Sequence, residues 1–292
     1  MDFVPFTLNI HGELRVYNRP LVMGIVNVTP DSFYAGSRVT EKDAIVDRVE
    51  GMIAAGVDMI DLGAYSSRPG ADDVNAEEEV ARLRTGMEAI RSVSPDILVS
   101  IDTFRSEVAR TAVCELGADI INDISGGDLD GDMWSVVADL KVPYILMHMR
   151  GTPATMQSLT EYDDVTADVI KDLSVKLREL RLRGVADVII DPGFGFSKTL
   201  EQNFEMMKNL ELFSQALDAP VLVGISRKSM ITKSLGIAAE DALAGTIALN
   251  TIALMRGASI IRVHDVPEAV SAVKMYTVCL TNKFDKNWIS SV

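Results

Sequence analysis

Leu21-Val22-Met23-Gly24-Ile25-Val26-Asn27-Val28, followed after a helical stretch by Val57-Asp58-Met59-Ile60-Asp61-Leu62-Gly63-Ala64, is the reading on which the fold turns. Most runs of this kind in the chain are apolar through their middles instead of alternating, as strands are when helices cover both faces of a parallel sheet. Between the first two, Glu41 to Ala55 has a helical period and ends at Gly56. The same unit then recurs, with apolar runs at Asp96 to Thr103, Ala118 to Ser125, Pro143 to Met149, Asp187 to Gly193, Pro220 to Ser226 and Ala258 to Asp265. Helical punctuation falls between them. Asn75 to Val93 carries Glu77, Glu78 and Glu79 in its first turn, where the helix dipole favours acids; Arg105 to Leu116 stops at Gly117; a long segment closes at Leu182-Arg183 before Gly184. Eight strand–helix alternations predict an α/β fold, a closed (β/α)8 TIM barrel instead of an open doubly wound sheet.

Outward from that repeat, Phe6 to Ile10 and Glu13 to Tyr17 flank His11-Gly12 and predict an N-terminal β-hairpin, placed as a plug over the bottom of the barrel. No composition break marks a second domain, so 1–292 reads as one domain: hairpin 1–19, barrel 20–283, C-terminal tail 284–292. A helix predicted from Ala238 to Met255 carries Ala242, Leu243, Ala244, Ile247, Ala248, Leu249, Ile252, Ala253 and Leu254 around most of its circumference. That is broader than one core-facing stripe, and it predicts a two-fold homodimer that buries the helix.

The chain has 28 basic and 42 acidic residues among 292, a net charge of −14, with 48% hydrophobic residues. The composition is that of an ordinary globular protein, and a pI near 4.7 argues against whole-surface attraction to nucleic acid or anionic membrane. An anionic small substrate stays open if the few cations converge. Met1 to Ile10 has no signal-peptide pattern, and no apolar run reaches the roughly 20 residues of a membrane span, so the expected location is cytoplasmic. Cys114 and Cys279 are expected to be reduced, partly buried thiols. With three histidines, no CxxC and no HExxH, a protein-built zinc site is not expected; the expected metal is Mg2+ held partly by a substrate phosphate.

Active sites of such barrels lie at the C-terminal ends of the strands. Collected there are Asn27; Ser66-Ser67-Arg68-Pro69-Gly70; Asp102; Asn122-Asp123; Met147-His148; Asp191-Pro192-Gly193-Phe194-Gly195; Ser226-Arg227-Lys228; and Arg262-Val263-His264-Asp265. Asp102, Asn122 and Asp191 need partners in an apolar barrel mouth. Either they satisfy one another and Lys228, or they hold a polar heterocycle: a carboxylate accepts two N–H bonds from an aminopyrimidinone edge, an amide donates and accepts beside it, and an ammonium holds the ring carbonyl. Met147 and Phe194 are the expected apolar faces. Asn27, Ser67, Arg68, Arg262 and His264 suit phosphate oxygens, the competing reading being rim salt bridges with Asp31 or Asp265. Gly193-Phe194-Gly195 lacks the third glycine of a dinucleotide motif and reads as a substrate loop.

At these residues the chain resembles the dihydropteroate synthases, enzymes of the folate pathway, from about Leu21 to Val270. The stretches that carry the resemblance are Asn27-Val28-Thr29-Pro30-Asp31-Ser32-Phe33, Ser66 to Ala71, Ser100 to Thr103, Ile121 to Gly127, Asp191 to Phe196, Ser226 to Ser229 and Arg262 to Val266, in order at seven strand ends. The resemblance implies condensation of 6-hydroxymethyl-7,8-dihydropterin diphosphate with 4-aminobenzoate, giving 7,8-dihydropteroate and diphosphate. It implies a pterin pocket of Asp102, Asn122, Asp191 and Lys228 walled by Met147. Asn27, Arg262 and His264 fall at the diphosphate and Mg2+ site, with Asn27 the metal residue, and Ser67 at a substrate contact. The loops with Phe33, Ser67, Arg68, Pro69, Ser226 and Arg227 fall at the aminobenzoate site, where sulfonamides compete. Asp102, Lys228 and Arg262 are the expected catalytic residues.

Such a reaction needs no strong base and no covalent nucleophile, because the dihydropterin methylene can lose diphosphate to a stabilised cation. Tyr65 departs from the family, which commonly has an acidic or amide residue there. The composition of 29–39 and 66–74 predicts mobile loops that close once the pterin diphosphate is bound, making binding ordered. Three other readings compete: a methyltetrahydrofolate-dependent methyltransferase working with a corrinoid protein, which has no need of the diphosphate cluster; a Schiff-base aldolase using Lys228; and a non-catalytic barrel that binds a pterin or scaffolds a partner.

Overall fold

The computed structural model describes residues 3–28, 38–65 and 74–281. Strands β1 (Phe6–Ile10) and β2 (Glu13–Tyr17) form the predicted antiparallel hairpin. His11 and Gly12 at its tip have φ of 52° and 86°, the pair of left-handed residues that a tight two-residue hairpin turn needs. The barrel follows: β3 (Leu21–Asn27), α1 (Arg38–Ala55), β4 (Met59–Gly63), α2 (Ala76–Val93), β5 (Leu98–Asp102), α3 (Ser106–Cys114), β6 (Ile120–Asp123), α4 (Met133–Leu140), β7 (Tyr144–Met147), α5 (Val165–Leu182), β8 (Val188–Asp191), α6 (Leu200–Lys208), α7 (Glu211–Leu217), β9 (Leu222–Val223), α8 (Ser229–Leu235), α9 (Leu243–Met255), β10 (Ile260–Val263) and α10 (Val266–Thr281). The eight barrel strands are parallel in the order β8-β7-β6-β5-β4-β3-β10-β9. A parallel bridge between Ile190 and Val221, with Ile190 N donating to the Pro220 carbonyl at 2.9 Å, joins the two ends into a ring.

Strand residues of one parity point outward and pack on the helices: Val22, Ile60, Val99, Ile121, Leu146, Ile190, Val223 and Ile261 belong to one continuous core with Leu83, Val108, Leu173 and Val266. The other parity points inward. At the N-terminal end of the barrel Met23, Met59, Leu98, Ile120, Ile145, Ile189, Leu222 and Ile260 form a closed apolar floor, and Phe6, Leu8 and Ile10 of the hairpin cap it from below. The plug is pinned at its rim, where Asn9 N donates to Asp187 Oδ2 at 3.1 Å and His11 Nε2 lies 2.6 Å from Asp119 Oδ1. Each side chain buried in the floor contributes about 1.5 to 3 kcal/mol of transfer free energy.

Two expectations need correction. The helix expected from Ala238 starts at Leu243. Arg227 Nη1 donates to the carbonyls of Ala239 (2.9 Å) and Glu240 (3.0 Å), and Asp241 N and Ala242 N bond back only three residues, so 238–242 is a turn. Cys114 and Cys279 are free but exposed, not partly buried; in α3 the buried face is taken by Val108, Ala109 and Ala112, which leaves Cys114 off it. No helix among the described residues is long and apolar enough to cross a membrane. The tail assigned to 284–292 lies outside the described residues.

Candidate active site

Two residues above the floor, the barrel interior changes from apolar to polar. A strand has a period of two, so the inward positions above Met59, Ile120, Ile189 and Ile260 are Asp61, Asn122, Asp191 and Arg262. Strand register lines up Asn27, Gly63, Asp102 and Asn122 across β3 to β6, and places Asp191 beside Met147. Gly63 keeps the row open: a Cβ there would stand 3.3 Å from Asn27 Oδ1 and 3.5 Å from Asp102 Cβ.

Arg262 is the centre of one half. Its Nε donates to Asp61 Oδ2 at 2.6 Å and its Nη2 to Asp102 Oδ2 at 2.8 Å, while Asn122 Nδ2 donates to the same Asp61 oxygen at 3.1 Å. Burial works against the guanidinium, but Asp61 and Asp102 outweigh it and raise the Arg262 pKa, so the cation is permanent. Burial lifts the Asp102 carboxyl to about 7; Arg262 opposes the rise and Asp61 adds to it. Asp61 is fully buried, and its Oδ1 and the neighbouring Ser100 Oγ have no partner among the described residues. A buried orphan acceptor costs about 1 to 3 kcal/mol, which a purely structural core would shed.

Asp191 and Lys228 make the other half. Asp191 is buried, and its Oδ1 accepts the Gly193 N–H at 2.7 Å. Burial raises its pKa, and the Lys228 charge partly reverses this. Lys228 Nζ donates to the Phe194 carbonyl at 2.7 Å and lies 4.6 Å from the centre of the Phe196 ring. Burial brings the ammonium down to about 8, against the pull of Asp191. Only glycine fits at 193: φ is +73°, and a Cβ would fall 2.0 Å from the His148 carbonyl oxygen. The apolar wall is Met147 with Ile124, Met149, Met156 and half-buried Phe196. Phe194, expected in that wall, is fully buried in the outer core instead. A carboxylate, an amide and an ammonium beside an apolar wall can hold a flat polar ring, and Arg262 supplies a fixed cation next to it.

Residues 23–264 match the model of the pterin binding enzyme family. The chain is 43% identical to the dihydropteroate synthase of Clostridium beijerinckii over 90% of its own length and 95% of that protein's. The chain belongs to the dihydropteroate synthase family. It is also 41% identical to a folate synthesis bifunctional protein of Arabidopsis thaliana, covering 90% of this chain and 57% of that one, so it spans little more than half of that relative's length. Among solved structures, Xanthomonas albilineans dihydropteroate synthase with 4-aminobenzoic acid superposes with a TM-score of 0.86 at 37% identity, over 94% of this chain and 98% of the other.

The structure brings Asn27, Asp102, Asn122, Met147, Asp191, Lys228 and Arg262 to the barrel mouth. Ser226 and His264 pair beside them: the His264 N–H donates to Ser226 Oγ at 3.2 Å, and His264 Nδ1 lies 3.1 Å from the same oxygen. Burial and the Arg262 charge lower the His264 pKa to about 4, so its ring is uncharged at neutral pH. Arg227, expected at the aminobenzoate site, is engaged by Asp265 through Nε (2.9 Å) and Nη2 (2.7 Å). Phe33, Ser67, Arg68 and Pro69 lie outside the described residues, as do most of both expected mobile loops. Tyr65, the departure from the family, packs edge-on against Phe104 with ring centres 5.0 Å apart, under the Arg105 guanidinium at 5.3 Å.

Sequence reading missed Asp61. The signal was there: a charged residue in the middle of Met59-Ile60-Asp61-Leu62, at inward parity. A scan confined to strand ends passes over it.

Proposed function

We propose that this chain is a dihydropteroate synthase that joins 6-hydroxymethyl-7,8-dihydropterin diphosphate to 4-aminobenzoate. The observation that carries the reading is the buried Asp191 carboxylate beside Lys228 and Met147, one layer above a sealed floor. Asp191 accepts the two N–H bonds of the aminopyrimidinone edge, Asn122 donates and accepts beside it, and Lys228 holds the ring carbonyl. Arg262, whose Nη1 has no partner among the described residues, and neutral His264 face the leaving diphosphate. Asp102 stands next to the ring on the Arg262 side and counters the cation that develops on the dihydropterin. The C–O bond to diphosphate breaks, the aminobenzoate nitrogen bonds to the methylene carbon, and the amine proton leaves to water. The chain's work is to hold, neutralise and orient.

The Asn27 side-chain oxygen is a hard neutral donor that suits Mg2+, and among the described residues no group of three or more acidic, histidine or cysteine side chains stands ready to hold a metal. Asn27 would hold such an ion together with the substrate's own phosphate oxygens, and the ion would supply neutralisation of the leaving group. Two exposed free cysteines suit a reducing, cytoplasmic setting. The aminobenzoate site, built from the strand-end loops, is where sulfonamides compete.

The dimer reading gains support from α9, which buries Thr246 and Asn250 together with Ala253 and Leu254, while Ile252 and Met255 are 43% and 66% exposed. Met255, with Ile247 of the same helix and Met275 and Leu280 of α10, borders a groove of about 540 Å³. A second copy covers it; sedimentation at micromolar concentration should show a species near twice 31.8 kDa, and a monomer alone contradicts it. The activity is tested by diphosphate release from the pterin diphosphate with and without 4-aminobenzoate. Release matched one-to-one by dihydropteroate is expected; pterin binding without release would favour a non-catalytic barrel.

A further inference from the structure

Lys198 lies behind the Gly193–Ser197 turn, 4% exposed, and no step above uses it. Its ammonium has three donors and all three are taken: the Gly193 carbonyl, the Phe196 carbonyl and His148 Nδ1, each at 3.0 Å. An ammonium cannot accept, so His148 Nδ1 must, and the proton of that imidazole is on Nε2. Burial and the Lys198 charge hold His148 near a pKa of about 2, fully neutral. Every acceptor of Lys198 is therefore neutral, an expensive way to keep a cation in the interior. Burial accordingly brings the Lys198 pKa to about 7, against the attraction of Asp191.

What the lysine grips is informative. Gly193 gives its carbonyl to Lys198 and its N–H to Asp191, so one peptide residue links the two charges. Phe194, between the two gripped carbonyls, gives its own carbonyl to Lys228, and Phe196 lends its ring to the same ammonium. The turn has other anchors that keep it folded: Arg150 N to Ser197 Oγ at 2.9 Å, Tyr162 Oη to the Ser197 carbonyl at 3.0 Å, and Gly195 N to Asn203 Oδ1 at 2.7 Å.

We propose that Lys198 is a positioning residue of the pterin site: with His148 Nδ1 as its third acceptor, it clamps the Gly193–Phe196 turn so that Asp191 and Lys228 are presented together to the ring, without itself touching substrate. The inference rests on Asp191 and Lys228 binding the pterin.

The test is a split between the two substrates. Lys198→Met should raise KM for the pterin diphosphate about tenfold, the scale of one coupled network contact, with KM for 4-aminobenzoate and the melting temperature little changed. His148→Leu should reproduce part of that rise, and His148→Asn, whose Oδ1 can stand where Nδ1 does, should restore it. If Lys198→Met does not fold, the two His148 variants decide alone. Equal pterin KM in both, or a loss shared evenly by both substrates, overturns the proposal. Asp191→Ala separates the two layers of argument: if that variant keeps pterin affinity the site reading itself falls, and if it loses affinity while Lys198→Met does not, only the positioning role falls.

Discussion

The two ends of the barrel interior are built from the same strands two residues apart, yet they obey opposite rules. Ile120, Ile189 and Ile260 close the floor; Asn122, Asp191 and Arg262, the next inward residues on those strands, open the mouth. The floor satisfies packing, pattern and propensity at once. The mouth carries a buried carboxylate with an orphan oxygen, a raised Asp102, a depressed Lys228 and a guanidinium held between two acids. Stability is concentrated at one end and chemistry at the other, and the hairpin plug lets the mouth carry its unfavourable groups without unfolding the barrel.

That contrast breaks if the two ends respond alike to mutation. The largest effect is expected at the mouth: Asp191→Ala should cost about 2 to 5 kcal/mol of pterin binding, because it removes a charge-assisted acceptor and strands the ligand's donors. Its melting temperature should hold or rise, since a buried carboxyl leaves with it. Calorimetry giving unchanged pterin affinity would remove Asp191 from the site. At the other end, Leu8→Ala in the plug should cost about 2 to 3 kcal/mol of stability, the low part of the range for a buried leucine because the hairpin can settle toward the floor. KM for both substrates should stay as in the unmodified protein, and a raised pterin KM with an unshifted denaturation midpoint would show that floor and mouth are not separable.

The same contrast explains what was legible in the sequence. All eight strands were, because runs such as Ile120-Ile121 or Ile189-Ile190 face helices on one side and the barrel interior on the other, and only apolar residues serve both through the floor. Strand-end residues were legible because the fold class fixes where they collect. Pairings were not. Arg262 finds Asp61 across 201 residues of chain and Lys198 finds His148 across 50, and periodicity says only that such residues face inward, not which one each meets. The start of α9 was misread for the same reason: Ala238 to Ala242 has helical composition, but Arg227, left-handed at φ 57°, takes the carbonyls that a helix would need.

The smallest expected effect sharpens the account of the mouth and concerns Lys228. Its pKa is depressed from 10.5 to about 8 by burial, so its charge is lost as pH rises through about 8, earlier than for an exposed lysine. The charged form is the one that holds the ring carbonyl in the proposed site. Because kcat/KM reports groups of the free enzyme, it should fall on the alkaline side with an apparent pKa near that value. On the acid side Asp102, lifted to about 7, becomes protonated as pH falls through about 7, which loses the carboxylate that counters the developing cation and adds a second limb. Bound pterin should stabilise the ammonium, so the alkaline limb of kcat should lie above that of kcat/KM. Lys228→Arg keeps a charge that does not titrate in this range, and although its altered shape should lower the rate, its profile should lose the limb near 8. A wild-type kcat/KM that is level through pH 9.5, or an arginine variant that retains the limb, would mean that another group governs the alkaline side and that Lys228 is not the donor to the ring.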